Sequence, residues 1–184
     1  MNGDRPSPGH GDEAGERAAA DGCGTAEPGA PAGALPPIAE VERYLYEHIP
    51  LSRALGVRIA RFDAGGLRVR APLEPNLNHR RTAFGGSLSA LAILAGWTRV
   101  TFDLRASGRA ARVVVQSSRM DFDAPAEQAF EADVAAVART DWQAFLRTLD
   151  RRGKARLTVR GVLRTAAGEV ARFETRYVAL TRQG

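Results

Sequence analysis

Residues 82–98 form the longest uncharged run in the chain, and from Gly85 to Trp97 apolar or small side chains stand on every side of a helical projection. A helix on a protein surface carries one apolar stripe, whereas a helix apolar all round must be covered on all sides. The run falls just short of a typical membrane span and is rich in Gly, Ala and Ser, so it reads as the buried helix of a soluble domain. A sheet curling around it would supply the cover.

Strands for such a sheet are present. Residues 55–62 and 67–73 flank Asp63-Ala-Gly-Gly66 and predict a β-hairpin, with Leu67, Val69 and Ala71 on one face and Arg68 and Arg70 on the other. Residues 112–122, 129–138, 154–165 and 169–180 read as further strands, the last two joined through Ala166-Ala-Gly168. Before the hairpin, Ile38, Val41, Tyr44 and Leu45 recur at helical spacing until Pro50. Between the second and third of the later strands, Thr140-Asp-Trp-Gln143 reads as a capping box, with Phe145, Leu146 and Leu149 following and Gly153 placed to end the helix. Strands grouped around one buried helix give an α+β fold.

Composition divides the chain in two. Residues 1–37 are rich in Gly, Ala and Pro and hold Leu35 as their only large aliphatic side chain, so they cannot bury enough surface to offset ordering entropy; a disordered acidic tail is expected there, followed by one domain over 38–184. The tail lacks the basic start and apolar core of a secretory signal, and a cytoplasmic location is expected. Six acids against Arg5 and Arg17 make the tail −4; since the whole chain is +5, the body is +9. A basic body attracts anionic partners, and charge alone does not separate nucleic acid, coenzyme A phosphates and an acidic carrier protein. Cys23, the single cysteine, excludes a disulfide within one chain, and His10, His48 and His79 have no metal-ligand spacing, so neither metal nor cofactor is expected.

The stretch Asn76-Leu-Asn-His-Arg-Arg-Thr-Ala-Phe-Gly-Gly-Ser87 carries the chemistry. Polar amides on a loop lead into two glycines and a helix start, where backbone N–H groups and the partial positive charge of the helix end favour an anionic oxygen. A carbonyl that becomes an oxyanion would be stabilised there. Read without that chemistry, Asn76 and Asn78 are ordinary turn residues, His79 is solvated, and the glycines permit close packing. Ser87 and Ser89 do not form the Gly-x-Ser-x-Gly elbow of a serine hydrolase.

The pattern Asn76-x-Asn78-x-x-x-Thr82-x-Phe84-Gly-Gly-Ser-Leu-x-Ala-Leu-Ala, with Trp142-x-x-Phe145-Leu146, Arg151-x-Gly153-x-Ala155-Arg156 and Arg176-Tyr-Val-Ala-Leu180, resembles the thioesterase-like domain of YiiD-type proteins, a hotdog fold in which an antiparallel sheet wraps a long helix. The resemblance spans about residues 38–181. It implies an acyl-thioester-processing enzyme acting on acyl-CoA or acyl carrier protein, by hydrolysis or by decarboxylation of a malonyl thioester. It also implies a homodimer or dimer of dimers, with no nucleic acid or membrane partner. By position it assigns the catalytic amide to Asn78 and the oxyanion-binding N–H to Gly86, with substrate contacts from Asn76, His79, Thr82, Phe84, Gly85 and Ser87. Two departures stand out: residues 85–98 hold no Asp or Glu to activate water, and Asp123 falls where relatives have an apolar residue. If a base is present it comes from elsewhere, with Glu74, Asp121 and Asp123 as sources. A non-catalytic acyl-thioester-binding or scaffold domain is the alternative. Arg156, Arg160 and Arg164, with Arg151 and Arg152 before them, read as a solvated outer face, or else as a docking surface for an acidic carrier or for coenzyme A phosphates.

Overall fold

The computed structural model describes residues 33–181. The expected acidic tail lies outside the described residues up to position 32, and Leu35 packs against the core. The chain order is α1 (Ile38–His48), α2 (Pro50–Ala54), β1 (Arg58–Asp63), β2 (Gly66–Ala71), α3 (Gly85–Ala106), β3 (Ala111–Phe122), β4 (Phe130–Ala135), α4 (Arg139–Arg152), β5 (Lys154–Thr165) and β6 (Gly168–Thr181). All six strands form one antiparallel sheet in the order β1-β2-β4-β5-β6-β3. It curls around α3, as the hotdog arrangement requires.

Each element follows from its residues. In α1, Val41 and Leu45 turn one face into the core, and Pro50, which needs no backbone donor at a helix start, opens α2. The β1–β2 turn is held by Asp63, whose Oδ1 accepts the N–H groups of Gly65 and Gly66 at 2.8 and 3.1 Å. Alternation along β2 buries Leu67, Val69 and Ala71, as the sequence predicts, and sends Arg68 to the outer face, where it meets Asp133 at 2.6 Å.

The central helix runs nine residues beyond the expected end at Trp97. Charge hides this extension in the sequence, because Arg99 and Asp103 lie one turn apart and neutralise each other inside the protein. Their Nε–Oδ2 distance is 2.7 Å, and their side chains are 0% and 4% exposed. Arg99 also donates to the Asp63 carbonyl at 2.7 Å, tying α3 to the hairpin. Farther up the helix, the Tyr177 hydroxyl of β6 donates to the Ile93 carbonyl at 2.7 Å, and Trp97 Nε1 donates to the Val113 carbonyl of β3 at 2.9 Å. Burial pushes the Tyr177 phenol up, so it stays protonated and donating.

Two local readings change. The helix α4 begins at Arg139 with Ala138 as its cap residue and no side-chain cap, so Thr140 sits inside the first turn and the expected capping box does not form. Its end is as expected: Gly153 adopts φ 65° and its N–H reaches the Leu149 carbonyl. The first β-hairpin strand starts at Arg58 because residues up to Ala54 form α2 and Gly56 turns the chain with φ 70°. Among the described residues, no helix is long and apolar enough to cross a membrane.

Candidate active site

The site is built by the loop between β2 and α3. A short 3-10 turn over Glu74–Asn76 carries Asn76 into the interior, where its side-chain NH2 donates to the carbonyls of Leu55 at 3.0 Å and Pro72 at 2.8 Å. The residue is 2% exposed, and its own carbonyl accepts the Phe84 N–H at 2.7 Å. Asn76 therefore fastens the last loop residue before the helix to the floor of the domain. Its NH2 thus has a structural task, while its side-chain oxygen Oδ1 is buried without a hydrogen-bond partner among the described residues.

Beyond it the chain doubles back. Leu77 bridges to Ala83, and the Asn78 N–H bonds the Thr82 carbonyl at 2.8 Å. Inside this turn the Asn78 carboxamide is engaged at both ends. Its Oδ1 accepts the N–H groups of Arg80 and Thr82, while its NH2 donates to Thr82 Oγ1 at 2.9 Å and toward the Ala83 carbonyl at 3.4 Å. These contacts hold Arg81 at φ 64°, a conformation that costs a non-glycine residue about 1 kcal/mol. His79 and Arg81 are exposed on the outside of the turn.

Phe84 leaves the loop in an extended conformation, with ψ 131°, and α3 starts at the next residue. Its carbonyl accepts the N–H groups of Ser87 and Leu88. The N–H groups of Gly85 and Gly86 have no acceptor among the described residues and stand at the positive end of a 22-residue helix. Two aromatic rings flank them. Phe84, 57% exposed, lies over Gly86 so closely that a Cβ there would collide with its ring. On the other side the ring of Phe122, at the end of β3, stands 3.6 Å from where a Gly85 Cβ would lie. Glycine is required at position 86, where a Cβ would displace the Phe84 ring, whereas position 85 has room for one.

The loop after β3 completes the site, since the Ala126 carbonyl accepts the Ala83 N–H at 2.7 Å. Sequence reading singled out Asp121 and Asp123 at this loop but missed Phe122 between them. Of the three acids weighed as bases, Asp121 and Asp123 flank Phe122 and are both ion-paired. Asp121 pairs with Arg119 at 3.2 Å, Asp123 with Arg172 at 2.9 Å, and Glu74 is exposed on the 3-10 turn. Ser87 is half-buried, and Ser89 Oγ donates back to the Gly85 carbonyl at 2.9 Å. Among the described residues, no group of three or more His, Cys, Asp or Glu side chains is placed to hold a metal ion. The arrangement can bind an anionic or strongly polarised oxygen through two convergent backbone donors beside an apolar surface.

Residues 38–181 match the family described as "Putative thioesterase (yiiD_Cterm)". Among solved structures, the fold is shared with a protein of unknown function from Chlorobaculum tepidum at 27% identity, over 78% of this chain and 94% of that one, with a TM-score of 0.74. A "putative thioesterase" from Shewanella oneidensis is 25% identical over 78% of this chain and 96% of its own, with a TM-score of 0.66. A "Probable Thioesterase" from Pseudomonas aeruginosa, 24% identical with a TM-score of 0.67 over 82% of this chain and all of its own, supports the fold alone. With the family match covering the whole described body from α1 to β6, the chain belongs to the YiiD C-terminal thioesterase-like family of hotdog-fold proteins.

Proposed function

We propose that the protein hydrolyses acyl thioesters carried on coenzyme A or on an acyl carrier protein, with the N–H groups of Gly85 and Gly86 binding the thioester oxygen. The observation that carries this reading is the pair of N–H groups at the start of α3 with no acceptor among the described residues, flanked by Phe84 and Phe122. As water attacks the carbonyl carbon, negative charge moves onto the oxygen. Each preorganised donor then stabilises the transition state by roughly 3 to 4 kcal/mol. Collapse of the tetrahedral intermediate releases the thiol and leaves the carboxylic acid.

Asn78 takes a positioning role in this scheme. Its amide hydrogens are engaged within the turn, and that turn sets the approach of Phe84 to the helix start. The expected homodimer is assigned to β3, a 12-residue edge strand on which Val114 and Val115 are exposed. Such a strand presents unpaired backbone groups to a second copy. A two-fold pairing there would bring the partner's loops close to Phe122, giving a route by which a general base enters a site whose own helix supplies none.

A second reading is supported by that same absence. Decarboxylation of a malonyl thioester needs no base, because carbon dioxide departs and the electron pair comes to rest as an enolate on the oxygen held by the glycine pair. The decisive experiment incubates the purified chain with acetyl, octanoyl and malonyl thioesters while free thiol and carbon dioxide are followed separately. Thiol release identifies hydrolysis, and gas with the thioester retained identifies decarboxylation. Binding without either product overturns the enzyme assignment and leaves the acyl-thioester-binding or scaffold role.

A further inference from the structure

On α3 the residues Gly86, Ala90, Ile93 and Trp97 follow one another at spacings of four, three and four, which places them on one face of the helix. This face is the half-buried one: Ala90, Ile93 and Trp97 are only partly covered by the rest of the chain. It forms one wall of a cavity of about 310 Å³, whose opposite wall is Ile49, Leu51, Ser52 and Leu55 from the α1–α2 turn. The polar atoms of the two polar side chains in this lining are both already hydrogen-bonded. Ser52 Oγ donates to the Ile49 carbonyl at 2.8 Å, and Trp97 Nε1 is engaged by Val113. Leu51 stands at the rim with 54% of its surface exposed. A cavity with no free polar group in its walls and an apolar rim selects an apolar ligand.

The cavity continues the line of the candidate site. From Gly86 the helix advances about 6 Å to Ala90 and about 16 Å to Trp97 at the usual rise per residue. We propose that this groove holds the hydrocarbon chain of the thioester, an unbranched acyl group, with Trp97 as the end wall that sets its length and Leu51 at its rim. An extended chain advances about 1.2 Å per bond, so about 16 Å corresponds to roughly 13 carbons once the carbonyl is seated at the glycine pair. The inference rests on the proposed thioester chemistry for its starting point, and it adds the substrate class.

Trp97 and Trp142 are the only tryptophans, and Trp142 lies on α4, away from this cavity, so a Trp142→Phe variant isolates the Trp97 emission. The probes are S-alkyl coenzyme A thioethers of 2 to 16 carbons, which carry no hydrolysable bond. The expected result is a saturable change in Trp97 emission, with affinity rising up to about fourfold per added methylene and levelling off at about 13 carbons. Ala90→Phe fills the groove one turn from the glycines and is expected to weaken decyl binding at least thirtyfold and ethyl binding far less. Leu51→Arg changes an exposed rim position without entering the core and is expected to weaken decyl binding about tenfold. Affinity independent of chain length overturns the groove assignment, and so does a Trp97 signal that follows protein concentration alone, which would place a second copy of the chain in the groove. Chain-length-dependent binding without any turnover would instead retain the groove and defeat the proposed hydrolysis.

Discussion

Replacing Asn76 with alanine separates a structural role from a substrate-binding one. Its side chain donates two hydrogen bonds, at 3.0 and 2.8 Å, to the Leu55 and Pro72 carbonyls, and it is 2% exposed. Removing a buried donor strands its acceptor at about 1 to 3 kcal/mol each, so Asn76→Ala should cost roughly 3 to 5 kcal/mol. For a domain of this size each kcal/mol moves the melting temperature by about 2 to 4 °C, which predicts a fall of about 6 to 20 °C. Asn76→Asp should be worse, because a carboxylate would face the same two carbonyls in the interior. Thermal unfolding followed by circular dichroism, alongside thioester turnover at a temperature where both proteins are folded, reads out both roles. A melting temperature unchanged within 2 °C combined with a raised KM would refute the reasoning and return Asn76 to the substrate site.

Gly96 is the close-approach point of α3 on β6, since a Cβ there would collide with the Tyr177 hydroxyl and lie 3.0 Å from its ring carbons. Gly96→Ala should therefore lose about 1 to 3 kcal/mol despite the helix-favouring change, and Tyr177→Phe in the same chain should recover at least 1 kcal/mol of it, measured as a double-mutant cycle in urea. Burial pushes the Asp103 carboxyl from 3.8 up to about 6, against the opposing charge and hydrogen bond of Arg99. A folded-state pKa above the unfolded one means that this group favours the fold fully below about pH 4 and loses that contribution as pH rises through 6. Arg99→Met/Asp103→Leu should remove that slope and be neutral or more stable near pH 7, by up to about 3 kcal/mol, whereas parallel pH profiles of melting temperature for parent and variant would contradict the assignment.

How much of this was legible in the sequence differs from residue to residue. The buried helix showed itself because residues 85–98 carry no charge, and its remaining turns were hidden because Arg99 and Asp103 look solvated until their mutual pairing is seen. Strands β2, β3, β5 and β6 were readable from alternation and glycine turns, while the Thr140 capping box failed because the chain enters the helix at Arg139. At the site, the glycine pair was visible as a motif. The engagement of the Asn78 carboxamide depends on a turn geometry with Arg81 at positive φ, which no local pattern announces. The groove joins residues 49–55 to residues 90–97, and such a pairing exists only after the chain has folded.

The glycine N–H pair can be tested by deleting one donor in place. Gly85 is the first residue of α3, where its N–H has no helical acceptor, and Phe84 before it is already extended, so proline fits there without strain. A Cβ at this position meets Phe122 at an ordinary 3.6 Å. Single-turnover hydrolysis by Gly85→Pro should fall about 100- to 1000-fold, with substrate affinity and melting temperature little changed. A Gly85→Pro protein that folds and hydrolyses the thioester at the parent rate would contradict the assignment of the oxyanion to the start of α3.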